Sequence, residues 1–308
     1  MSEWTTITTG LKFPEGPVAY PDGSVILVEI AAGRVTRVLP DGRQEVVAEP
    51  GGGPNGLAPG PDGELYLCNN GGTAFRPWRG MLLPSGKSSD FVTGSIQRVD
   101  VATGRVETLY TSGVGVDGDV PLQGPNDLVL DGHGGMWFTD NGKSDRRAKT
   151  ITGVFYAKLD GSSCREVIFP LDGPNGIGLS PDGRTLYVAE TPPGRLWAFD
   201  VIAPGEVALQ PGLRGMAGRF LYTSRGLANY DSLAIEDCGN VAVATIGDCG
   251  ITVVSPNGEL VEFVATDDAF TTNICWGGDA LTTAYVTLGG TGRLVRREWA
   301  RPGLRLAY

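Results

Sequence analysis

Six oxygen-bearing side chains recur in this chain at one place in a repeated stretch: Glu15, Asn55, Asn126, Asn175, Asp231 and Asn273. Each stands just ahead of a short apolar run, as Asn175 does before Ile177 to Leu179. Two carboxylates and four amides, if brought together, suit a hard divalent cation such as Ca²⁺ or Mg²⁺, which takes carboxylate, amide and water oxygens. Asn and Asp also favour turns ahead of strands. That accounts for Asn next to Gly, but not for Glu15, a poor turn former in the same place, so a metal site is the preferred reading. Other chemistries find less. The one histidine, His133, lies in a D-G-H-G-G turn and is read as exposed and incidental, whereas a Ser-His-Asp triad needs a histidine placed beside a serine. There is no G-x-S-x-G elbow, and Gly51-Gly52-Gly53 precedes a proline instead of opening a helix, so it is no phosphate loop.

The elements that must position these residues are read from internal repetition. The clearest copy is residues 173 to 200: a Gly-Pro turn delivers Asn175, a short strand follows, Pro181-Asp182-Gly183 turns the chain, Thr185 to Ala189 is a second strand, Gly194 breaks it, and Arg195 to Phe199 is a third. Related copies span residues 13 to 42, 53 to 72 resuming at 94 to 104, 124 to 143 resuming at 153 to 161, 229 to 263, and 272 to 299. Helical periodicity is nearly absent. Four antiparallel strands per unit, repeated six times, predict an all-β, six-bladed β-propeller. The innermost strand of each blade lines the central channel, so equivalent positions converge on the axis. The strand-like run WTTITT at 4 to 9 is expected to supply the outer strand of the last blade and close the ring. One propeller domain is expected over 1 to 308, with insertions at about 73–93, 144–150 and 211–228 on the rim. The first two follow a second strand, so they should emerge at one face, where long excursions tend to shape a site.

Composition agrees. Gly 47 and Pro 21 suit many tight turns, and 41% hydrophobic residues suffice for a core. A net charge of -10 argues against a nucleic-acid partner. No apolar run is long enough to span a membrane, and the N-terminus lacks the features of a signal peptide. Five scattered cysteines (Cys68, Cys164, Cys238, Cys249, Cys275), with no C-x-x-C pair, read as reduced thiols in a cytoplasmic protein. Oligomeric state is not legible.

FPEGP at 13 to 17, GPND at 124 to 127, NG at 175 to 176 followed by SPDGRTLYVAE, and Asp231-Ser232 resemble the repeated motifs of the gluconolactonase, senescence-marker-protein and regucalcin family of six-bladed propellers. The likeness runs over nearly the whole chain. It implies that Glu15, Asn175 and Asp231 hold one divalent cation at the channel mouth, with Asn126 near the metal and the substrate. It also extends to lactonases of the drug-responsive type through Gly135 to Asp140; some of those carry a second calcium, a role open here to Asp127, Thr139 and Asp140. The expected activity is metal-dependent hydrolysis of a lactone, most simply a sugar lactone. Asp231 would act as general base, Asn126, Asn55 and Asn273 would line the substrate, and Arg76 or Arg79 would bind sugar hydroxyls or a carboxylate. Calcium is the favoured metal, with zinc, magnesium, manganese and iron also open. A calcium-binding regulatory propeller without turnover, and an aryl-ester or organophosphate hydrolase on the same scaffold, are the alternatives.

Overall fold

Strands of two to nine residues, many divided by Pro-Asp-Gly and Asp-Gly turns, make up most of the computed structural model. It describes residues 3–116, 118–145, 147–208, 218–224, 226 and 228–308. Among these the one helical segment is a 3-10 turn, Ile30–Ala32. Six antiparallel sheets form a six-bladed β-propeller. The innermost strands are Pro14–Ala19, Pro54–Pro59, Pro125–Leu130, Pro174–Leu179, Asn229–Ile235 and Thr271–Gly277. Each packs against the innermost strand of the next blade, and the sixth against the first. Ring closure follows the expected route: Thr5–Thr9 pairs antiparallel with Arg293–Glu298 and completes the sixth blade from the other end of the chain.

The sequence pattern explains the layering. An innermost strand is an edge strand, so proline at its first residue (Pro14, Pro54, Pro125, Pro174) sacrifices no ladder bond. The second strands, such as Val25–Glu29 and Leu65–Asn69, are buried on both faces between neighbouring blades and read as continuous apolar runs, not alternating ones. The core is therefore a set of wedges between blades. Phe138 and Phe155 stack at 5.2 Å in one wedge, and Trp276 and Trp299 meet edge to face at 6.3 Å in another.

The insertions are more ordered than loops. Residues 73–93 contain an antiparallel hairpin, Thr73–Trp78 with Met81–Lys87. It leaves the second blade and leans over the first and sixth: Phe75 packs on Phe13 at 5.1 Å, and Leu82 N donates to Gly290 O at 2.8 Å. The second insertion is closed by a bridge between Ser144 and Lys149, with Asp145 N donating to Ala148 O and Thr150 N to Lys143 O, each at 2.9 Å. Both follow second strands and lie on the face where the innermost strands begin. The stretch 211–228 is not one loop, since Arg219–Thr223 is the outer strand of the fourth blade, paired with Arg195–Ala203; residues 209–217, 225 and 227 lie outside the described set. A hairpin that the repeat pattern did not indicate, Ser112–Gly115 with Gly118–Pro121, widens the third blade.

Candidate active site

The chain ahead of four of the site residues is clamped from the end of the neighbouring second strand. Glu29 Oε2 accepts Lys12 N at 2.7 Å, Asn69 Oδ1 accepts Gly53 N at 2.9 Å, Asp140 accepts Gln123 N and Gly124 N at 2.7 Å, and Glu190 Oε1 accepts Asp172 N at 2.6 Å. These bonds hold the backbone two or three residues before Glu15, Asn55, Asn126 and Asn175. A break in strand register follows, for example between Pro54 and Leu57 and between Pro174 and Ile177. The residue after the bulge's polar residue then meets the next blade. A Cβ on Gly56 would lie 2.6 Å from Asn126 O, and one on Gly176 would lie 2.6 Å from Leu233 N, so only glycine allows that approach. The close contact draws the blades' site residues around the axis.

Glu15, Asn175 and Asp231 meet there, all buried. Asn175 Nδ2 donates to Asp231 Oδ1 at 2.6 Å. Ser232 Oγ lies 3.1 Å from Glu15 Oε1 and 3.4 Å from Asn175 Oδ1, so one hydroxyl links the second of these residues to the first. Asn273 Nδ2 donates to Glu15 Oε2 at 2.7 Å, and Gly16 N to the same oxygen at 2.5 Å. Asn126 and Asn55 are buried in the same ring of strands; Asn126 Oδ1 has no hydrogen-bond partner.

Asn273 is displaced from the position its repeat suggests. Leu233 pairs with Val243 two residues after Asp231, whereas Ile274 pairs with Val286 one residue after Asn273. Asn273 therefore stands one step further along, at the place of Asp127 and Ser232, and Thr272 takes the outer position. Asp127, Ser232 and Asn273 thus form an inner layer that sequence reasoning treated separately or missed. The signal was present: the residue after the site residue is glycine in three blades (Gly16, Gly56, Gly176) and polar in these.

Three buried carboxylates share this volume. Burial pushes Glu15 well above the ordinary carboxylate range, and the charges of Asp231 and Asp127 add to it. Asp231 is pushed up to about 8, first by burial and then by Asp127, against the pull of the Asn175 hydrogen bond. Asp127 is raised to about 7 by burial, against the backbone N–H groups of Leu128, Ile177 and Leu233 and the hydroxyl of Ser232. Among the described residues no three His, Cys, Asp or Glu side chains form a metal cluster. The donor set of Glu15, Asp231 and the Asn175 amide is instead all oxygen, from two carboxylates and one amide. It fits a hard divalent cation, whose charge relieves the repulsion that raises these acids. The amide of Asn175 is symmetric in shape, and turning it over exchanges donor for acceptor toward Asp231.

The other expected residues fall elsewhere. Asp140 accepts Gln123 N and Gly124 N and also Gly142 N at 2.9 Å, and Thr139 Oγ1 donates to Asn175 O at 2.5 Å. They hold backbone, as Glu29 and Glu190 do, and their partners lend no support to a second cation shared with Asp127. Arg76 and Arg79 are exposed on the hairpin that leans over the channel mouth, Arg79 stacked on Trp78 at 4.8 Å. His133 is exposed in a turn at the opposite face. Below the ring the channel widens into a cavity of about 990 Å³. Gly16, Asp127 and Asn273 touch it from above, apolar residues such as Ile177 and Leu233 line it, and Leu304 to Tyr308 border it.

The fold and this ring define a six-bladed propeller with a buried oxygen-donor centre on its axis. The chain belongs to the SMP-30/gluconolactonase/LRE-like family, whose model matches residues 13–290. It is 24% identical over 305 residues to a gluconolactonase of Zymomonas mobilis, covering 91% of this chain and 77% of that one. It is 29% identical over 259 residues to lactonase drp35 of Staphylococcus saprophyticus, covering 83% and 70%. Among solved structures, a gluconolactonase of Xanthomonas campestris superposes with a TM-score of 0.74 at 22% identity, covering 96% of this chain and 90% of that one. No helix among the described residues is long and apolar enough to cross a membrane.

Proposed function

We propose that this chain hydrolyses a lactone, a cyclic carboxylic ester, at the axial ring, with Glu15, Asn175 and Asp231 holding one divalent cation, calcium by preference for an all-oxygen donor set. The observation that carries this reading is the convergence of those three side chains and Ser232 within hydrogen-bond distance, in a family whose named relatives include a gluconolactonase and a lactonase. A bound cation supplies Lewis acidity toward the lactone carbonyl and stabilises the charge that develops on its oxygen.

The chain's own groups do the rest. Asp231 is the general base. Buried beside the volume that the three side chains enclose, its carboxylate would take the proton of the attacking water. Asn175 Nδ2 holds Oδ1 of that base in place. Ser232 and Asn273 fix both oxygens of Glu15. Asn126 offers an unengaged acceptor to a substrate hydroxyl, which favours a polyhydroxylated lactone, and Asn55 lines the same wall. Arg76 and Arg79, exposed on the hairpin over the first and sixth blades, would bind the substrate's outer oxygens.

Hydrolysis of gluconolactone and related lactones, followed before and after chelation with each metal added back, tests this. Activity should vanish with chelator and return with one cation. Asp231→Ala should lower kcat by about 10²–10⁴-fold, the usual contribution of a general base, with the fold retained. Full activity in chelated protein would end the metal-dependent reading.

A further inference from the structure

The chain carries a net charge of -10, yet two of its stretches that follow second strands are cationic. Residues 73–93 and 143–150 hold seven Lys and Arg (Arg76, Arg79, Lys87, Lys143, Arg146, Arg147, Lys149) against two acids, Asp90 and Asp145. Of those within the described residues, Lys149 is ion-paired, to Asp172 at 2.5 Å, and Arg76, Arg79, Lys87, Lys143 and Arg147 form no ion pair. Two such stretches on an acidic protein attract anions locally.

One of these cations is built in. Lys143 follows the second strand of the third blade and is half-buried between the second and third blades. Its Nζ donates to Asn70 Oδ1 at 3.1 Å and to Gly72 O at 3.0 Å, and stands 5.1 Å from the centre of the Phe91 ring. Phe91 also faces Lys87 Nζ at 5.4 Å. Two of the three ammonium protons are thus placed on neutral oxygens, the Phe91 ring covers another side, and no carboxylate oxygen is among these partners. The nearest buried acid in sequence, Asp140, spends its oxygens on three backbone N–H groups. Burial lowers Lys143 to about 8, with Lys87 adding to the effect and Asp140 opposing it. Half-burying a cation on neutral oxygens, without a carboxylate, costs free energy that an arriving anion would offset.

The position is next to the site. Asn70 N donates to Gly53 O at 2.8 Å, two residues before Asn55, and Asn141 N to Gly124 O at 2.9 Å, two residues before Asn126. Lys143 therefore sits beside the two blades whose amides line the ring, one of them with its unengaged Oδ1.

We propose that Lys143 is a specificity-determining residue that receives a carboxylate carried by the substrate, so that the preferred lactone is an acid lactone, an aldaric acid closed on itself at one end, over the neutral aldonolactone. This rests on the lactonase reading above. The ammonium pairs with the free carboxylate while the ester at the other end of the sugar lies at the axial ring. Lys87, Arg76 and Arg79 supply the field that guides the anion in.

The test compares D-glucono-1,4-lactone with D-glucaro-1,4-lactone, which share the ring and differ in a terminal hydroxymethyl against a carboxylate. Wild-type protein should favour the acid lactone by about ten-fold or more in kcat/KM, the scale of one charge-assisted hydrogen bond. Lys143→Met should collapse that ratio by about ten-fold, mainly through KM for the acid lactone, and Lys143→Arg should keep most of it. A wild-type ratio at or below one, or a Lys143→Met variant that lowers both substrates in proportion, overturns the proposal and leaves Lys143 as a clamp on Asn70 and Gly72. Failure to turn over either lactone would defeat the lactonase reading instead, and calorimetric titration with D-glucarate and D-gluconate then decides the role of Lys143. Tighter glucarate binding that is lost in Lys143→Met supports it, and equal binding of the two refutes it.

Discussion

Replacing Asp231 by Asn should make the metal-free protein more stable at pH 8, and calcium should then stabilise the wild type more than the variant. The Asp231 carboxyl is held up to about 8 in the folded chain, against 3.8 as its ordinary value. A folded pKa above the unfolded one means that the folded state keeps a proton which the unfolded state gives up. The associated stability is therefore fully present below the unfolded value and is lost as pH rises toward about 8. At 1.36 kcal/mol per unit, that loss reaches up to about 5 kcal/mol for this group. Asparagine is neutral throughout and still offers Oδ1 to Asn175 Nδ2, so it escapes the loss. At about 2 °C per kcal/mol for a chain of this size, Asp231→Asn should melt about 5–10 °C above wild type at pH 8 in chelator. Near pH 4.5 the two should nearly coincide. Glu15 and Asp127 are shifted in the same sense, so both proteins keep a residual fall with pH. Excess calcium should narrow the gap, because a ligand at about one hundred times its Kd adds about 2.7 kcal/mol to the protein that binds it, about half of that loss, and the variant has lost a charged donor. Melting curves by circular dichroism at pH 4.5 and 8, with EDTA or with calcium, read all of this. A wild type that is the more stable of the two in EDTA at pH 8, or an equal response of both to calcium, would refute the argument.

Two further outcomes follow from the packing. Ser232→Ala removes the hydroxyl that reaches Glu15 Oε1 and Asn175 Oδ1, and should weaken cation binding by about 10–100-fold in titration calorimetry while leaving the fold intact. Gly56→Ala would put a methyl 2.6 Å from Asn126 O and 2.8 Å from Asp127 Cα; it should cost about 1–3 kcal/mol in urea unfolding and lower turnover by displacing Asn126.

What could be read ahead of the structure divides along a physical line. The blades were legible because repetition averages over local ambiguity: one Pro-Asp-Gly turn is weak, but six copies of strand, turn and strand allow few folds. Ring closure by Thr5–Thr9 was legible because a strand-like run stood unassigned ahead of the first copy. The outer positions of the site were legible because an unusual residue, Glu15, stood where turn formers otherwise stand. The inner layer was not. Gly16, Gly56 and Gly176 look like turn glycines, and only the packing shows that their Cβ positions are filled by the next blade's backbone. The same position can carry Asp127, Ser232 and Asn273 where the ring leaves room, and a one-residue offset in the sixth blade hid the last of these. Lys143 was illegible for a different reason. A lysine in a loop ordinarily faces water, and its burial depends on Asn70, Gly72 and Phe91 from the neighbouring blade, which come next to it only after the ring has closed. Residues whose role is set inside one repeat can thus be read from the repeat, whereas those set by contact between repeats, including the acids and the cation that would choose a substrate, need the blades assembled first.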